Sequence, residues 1–181
     1  MLTDLEFTSS KVHCSHIFQA SWDDEKFTEL IDARPRDSQN ITKDSPENML
    51  LLHAHVELLY DHGKLLFEYD DISQNFICRI LDKRIADLYI FREPQEVTFG
   101  EYDGKPLHFP NASRPLKRLI RFRAIVNRLH AIQKEYIGSH EYQHLMDSDD
   151  WSPGTTTVFD KIVDWRSKIP ADSHLYLNST S

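Results

Sequence analysis

Apolar residues recur at three- and four-residue steps between Ser113 and Gly138: Leu116, Leu119, Ile120, Val126, Leu129, Ile132 and Tyr136. This is the stripe of a helix packed on a core. Ser113 suits an N-cap, Pro115 a first turn and Gly138 a left-handed stop, so the pattern predicts a helix over 113–138. A second helix is predicted from Ser45-Pro46-Glu47 to Gly63. Met49, Leu51, Leu52, Val56, Leu58, Leu59 and Tyr60 make it apolar nearly all round, and hence the most buried. Ser21, followed by Asp23, Asp24 and Glu25, opens a third over 22–33 that ends before Pro35. Residues 139–146 read as a short helix and 156–168 as an amphipathic last one ended by Pro170.

Short apolar runs between polar turns predict strands at 65–69, 76–81 and 88–91. A hairpin of 96–100 and 105–109 is expected around Asp103-Gly104. The short connections imply antiparallel pairing. Residues 2–7 and 12–18 read as a further pair of short strands. The expected fold is one α+β domain over 1–170, an antiparallel β-meander of about five strands packed against four to five helices, with 171–181 as a flexible tail.

Charge sharpens this picture at one place. Arg114, Lys117, Arg118, Arg121, Arg123, Arg128 and Lys134 all precede the first acid of the long helix, Glu135, on a chain whose net charge is −8. Such a stripe either pairs with the protein's own acids or docks an acidic partner, protein or nucleic-acid phosphate. The acidic balance excludes general coating of nucleic acid, so any such contact must be local. A content of 40% hydrophobic and 28% charged residues is that of a soluble globular chain. Cys14 and Cys78 are too far apart for a CxxC pair and too few for a disulfide framework, which suggests a reducing, cytoplasmic setting. No signal peptide or membrane span is expected.

The contiguous motif is His140-Glu141-Tyr142-Gln143-His144, an HExxH. On a helix the two imidazoles share a face and reach one Zn²⁺, while the glutamate serves as base on a metal-bound water. In those five residues the chain resembles zinc metallopeptidases of the zincin type. That resemblance implies His140 and His144 as ligands, Glu141 as general base and Asp150 as third ligand. Asp147 stands where the extended motif has glycine, and no later methionine supplies a Met-turn. Arg123 and His130 also match the loose R-x6-H spacing of HEPN ribonucleases, which are helical bundles. His13-Cys14-Ser15-His16 has ligand-type side chains, but on a strand neighbours face opposite ways.

Two function classes follow. The first is a non-enzymatic interaction or regulatory protein without a cofactor, docking an acidic partner through Arg114, Lys117, Arg118, Arg121 and Arg128. The alternative is a zinc-dependent, peptidase-like hydrolase at 140–144.

Overall fold

The computed structural model describes residues 11–22, 24, 25, 27, 28, 41–91, 96–109 and 112–141. Two α-helices and six short strands are found among them, the strands forming three separate two-stranded sheets. The expected α+β class is kept. The five-strand meander and the four to five helices are not.

The first correction falls at 45–63. Pro46–Asn48 is a single 3-10 turn, Met49–His53 is strand β2, and Ala54–Asp61 is helix α1. Leu50 and Leu52 are buried while Leu51 is half-exposed, a period of two. A run of apolar residues with no polar punctuation does not tell strand from helix, and here the strand partner lies far back in the chain. That partner is β1, Val12–His16, antiparallel to β2 with Val12 opposite His53 and His16 opposite Met49. The result is a β-β-α unit. Residues 2–7, the other expected strand, lie outside the described residues. Of the helix expected at 22–33, Asp24, Glu25, Phe27 and Thr28 are helical.

Strands β3 (Leu65–Asp70) and β4 (Asn75–Ile80) form the expected hairpin, in register from Leu65 opposite Ile80 to Asp70 opposite Asn75. The Asp70 carboxylate accepts from the amides of Ile72 and Ser73 and closes the turn. Strands β5 (Tyr89–Phe91) and β6 (Val97–Thr98) pair with each other through an irregular register. The hairpin expected at Asp103-Gly104 does not form. Instead the Asp103 carboxylate accepts from Ile80 N at 3.0 Å, and the chain beyond Gly104 runs along the free edge of β4. Cys78 N donates to Lys105 O and Leu107 N to Phe76 O.

Helix α2, Lys117–Gln133, starts later and stops earlier than its caps suggested. Leu116 takes the N-cap position without a side-chain cap, and its own amide donates to Glu47 O at 2.9 Å. At the other end Glu135, not Gly138, adopts the left-handed conformation (φ 58°). The helix packs across β3. Leu119, Ile120, Phe122, Ala124, Ile125 and Val126 are buried, with Phe122 stacked on Phe18 at 5.4 Å and 6.0 Å from Trp22. Three polar side chains are buried with them: Arg123, Asn127 and His130.

Between α1 and β3 the chain turns at Gly63 (φ 61°), where a Cβ would stand 2.9 Å from the His130 ring. Both the backbone sign and the contact demand glycine. Gly63→Ala is expected to destabilise the fold by more than about 1 kcal/mol in urea titration. In a His130→Ala background the contact part should vanish and the cost of Gly63→Ala should shrink.

Candidate functional site

The β-β-α unit brings together groups that stand far apart in sequence. Strand alternation turns Ser15, Leu50 and Leu52 into the core and leaves Cys14 and Leu51 outside. His13, on the inward parity but at the open end, meets α1 instead of the core. Its Nδ1 lies 2.5 Å from Glu57 Oε2. The imidazole is half-exposed and the carboxylate about one-fifth exposed, so the pair stands at the surface with Glu57 the more sheltered partner. With Nδ1–H donating to the carboxylate, Nε2 carries the lone pair of a half-exposed ring.

His53 caps α1: its Nδ1 accepts from His55 N at 3.3 Å. The His55 ring packs edge-on against it at 5.1 Å and reaches Ile90 O with its own Nδ1. Burial holds His53 below the usual histidine range, and the charges of His55, Lys11 and His13 lower it further. Lys11, His13, His53 and His55 thus form a basic, imidazole-rich end of the unit around Glu57. At Cys14 partial burial and then the Glu57 carboxylate push the thiol up, which disfavours the thiolate.

At the other end of β1, Asn48 is fully buried and bonded on every side. Its Oδ1 accepts from Phe18 N at 2.8 Å, and its Nδ2 donates to Phe18 O at 3.0 Å and Lys43 O at 2.7 Å. Asn48 O also accepts from Ile17 N. One amide therefore clamps the chain immediately after His16. The His16 Nε2 is shielded without a hydrogen-bond partner, 3.7 Å from Asp44 Oδ1.

The sequence-derived candidates sit elsewhere. Arg121 bonds Asp71 at 2.6 Å and Arg128 bonds Glu68. Lys117 stands 3.6 Å over the Tyr69 ring and Arg114 4.4 Å over Phe109, while Arg118 is partly buried. Pairing with the protein's own acids and rings thus takes up much of the basic stripe. Arg123 and His130 of the R-x6-H spacing are buried, with Arg123 1% exposed, out of reach of any large substrate. His140 and Glu141 are at the surface, with Nε2 3.7 Å from Oε1. His144 and Asp150 lie outside the described residues. What the sequence reading passed over is the His13–Glu57 pair, the Asn48 clamp and the His53 cap. The signal was the order of histidines in 13–16, Asn48, and histidines at 53 and 55.

A family model described as HNH endonuclease matches residues 1–68, under half of the chain. No curated protein and no solved structure matches. The match covers the whole β-β-α unit. It overturns both sequence-based functions, the non-enzymatic docking protein and the HExxH zinc peptidase, and with them the regulatory reading and the acidic protein partner. No described helix is long and apolar enough to cross a membrane.

Nucleases of this kind use a divalent metal, which makes the donor set worth testing. The His13 imidazole and the Glu57 carboxylate of the unit are already hydrogen-bonded to each other, and no group of three or more His, Cys, Asp or Glu side chains among the described residues is arranged to hold a metal. The described residues do not fit a resident metal cage.

The His53 cap gives a pH dependence with a definite sign. A protonated ring has no lone pair at Nδ1, so the cap needs the neutral form. The folded state binds this proton less readily than the unfolded chain, whose histidine titrates near 6.5. The contribution is complete above that value and is lost as pH falls below it. Urea midpoints should therefore drop on going from about pH 7.5 to about pH 5.5. The drop should be smaller in His53→Asn, which keeps a capping oxygen and removes the titration.

Proposed function

We propose that the chain cleaves phosphodiester bonds of nucleic acid, with the β-β-α unit as its reactive part. The observation that carries this is the His13–Glu57 pair, bridging β1 and α1 inside the segment similar to HNH endonucleases. In chain order the unit runs histidines of β1, Asn48, then histidines at the start of α1, the order that the three letters of that family's name denote.

The chemistry follows from the pair. Glu57 accepts from Nδ1–H, fixes the tautomer and stabilises the imidazolium that forms when Nε2 takes a proton. A water beside Nε2 loses that proton as its oxygen bonds to phosphorus. The bond from phosphorus to the leaving sugar oxygen breaks on the opposite side, solvent water protonates that oxygen, and the imidazolium releases its proton to solvent afterwards. Lys11, on the same end of the unit, supplies positive charge toward the phosphate. Asn48 takes no part in proton transfer: it fixes the end of the β1 strand by binding backbone on both sides.

The test is cleavage of plasmid DNA and single-stranded DNA and RNA by the full chain, with and without added divalent cations. His13→Ala is expected to lower the rate by about 10²- to 10⁴-fold. Glu57→Gln, which keeps the shape and removes the charge, should lose less. No cleavage of any substrate by the wild type, or equal cleavage by His13→Ala, would sink the proposal.

A further inference from the structure

Three buried polar residues of α2 fall at positions 123, 127 and 130, spaced i, i+4, i+7, on one stripe of an otherwise apolar face. Each holds the C-terminal end of α1. Arg123 Nη2 donates to Asp61 Oδ1 at 2.8 Å, with its guanidinium between the rings of Tyr60 at 4.7 Å and Trp22 at 5.0 Å. Asn127 Nδ2 donates to Tyr60 O at 2.9 Å and to Leu65 O at 3.0 Å, on either side of the turn. The His130 ring lies against Gly63.

Asp61 is one turn after Glu57, so the two share a face of α1. A helix of eight residues does not hold its own orientation in water. Its rotation must be set from outside, and a twist of one residue would carry Glu57 about 100° away from His13. The Asp61–Arg123 pair is poorly explained as a stability device. Arg123 Nε and Nη1 and the Tyr60 hydroxyl are buried without a hydrogen-bond partner. A buried ion pair left partly unsatisfied is typically no better than apolar residues of the same volume.

We propose that α2, which lies outside the segment matched to nucleases, is a working part of the β-β-α unit, and that Arg123 is a positioning residue that aligns Glu57 with His13. This rests on the reading of that pair as the reactive one. α2 thus grips the end of α1 remote from the chemistry and transmits its placement along one helical turn.

The test reads the pair directly, so that it does not depend on cleavage. The His13 ring nitrogens are followed by ¹⁵N NMR in the wild type, in Glu57→Gln, which breaks the contact, and in the double variant Asp61→Asn/Arg123→Met. The double variant removes the tether without leaving a buried charge alone. Its His13 signals should move at least halfway to those of Glu57→Gln while near-UV circular dichroism is kept. In the cleavage assay kcat should fall at least tenfold with KM unchanged. A folded double variant with wild-type His13 signals overturns the proposal. If the double variant does not fold, Asn127→Ala is read in the same way, and failure of both to fold assigns the stripe to folding alone and overturns the positioning role. A wild type that cuts nothing overturns the nuclease reading, and the NMR outcome still decides the coupling.

Discussion

Asp61 and Arg123 meet 2.8 Å apart with almost no access to water, and most of the architecture can be ordered around that contact. Removing one partner would strand a charge in the core at a cost of about 3–5 kcal/mol, so the elements that carry them must stay together. Asp61 ends α1, and α1 follows β2 directly, so the contact also holds the β1–β2 hairpin. Arg123 sits mid-way along α2, which lies over β3. Gln19 reaches the same carboxylate from beyond β1 at 3.3 Å. Elements distant in the chain therefore converge on one charge pair, and the apolar core of Phe18, Trp22, Leu50, Leu52, Leu119 and Phe122 closes around it.

That arrangement separates holding from reacting. The sheltered end of α1 is tethered to α2 through Asp61 and the Tyr60 carbonyl, and its N-terminal end is more open. There stand a half-exposed imidazole, a carboxylate and a histidine cap. A buried anchor beside a half-exposed His13 suits the proposed cleavage of a phosphodiester in a large polymer, because the reactive groups must come to the substrate's surface. Asn48 does the same service for β1: its side-chain amide makes three hydrogen bonds, to residues 18 and 43, and its backbone carbonyl accepts a fourth from Ile17 N.

Local pattern carried part of this fold. The stripe of Leu119, Ile120 and Val126 placed α2, and the alternation around Asp70–Asn75 placed the β3–β4 hairpin. What failed was non-local. Met49–His53 is apolar enough to continue a helix, and only a partner from residues 12–16 makes it a strand. The Asp103-Gly104 pair has hairpin chemistry, but the Asp103 carboxylate is already committed to Ile80 N. Arg123 and Asn127 look from sequence like members of a solvated face, and burial of both sides of α2 reverses that. The site was hidden for the same reason. His13 and Glu57 are 44 residues apart and form no contiguous motif, whereas His140–His144 does and draws attention for its spacing alone.

The matched segment stops at residue 68, inside β3, which runs to Asp70. No structural boundary lies there: β3 is paired with β4 along its length, and Asn127 bonds the carbonyl of its first residue. The matched segment therefore marks where the similarity lies and not a folding boundary. The remainder of the chain supplies its floor. It also carries Asp71, the partner of Arg121, while Asp61 and Glu68, the partners of Arg123 and Arg128, lie inside the matched segment. Binding of a polyanion by the small basic area near Lys11 rests on few phosphate contacts, and a few contacts release few counterions. On the proposed function, selectivity would come from how a single phosphodiester presents itself to His13 and Glu57, not from wrapping of the nucleic acid.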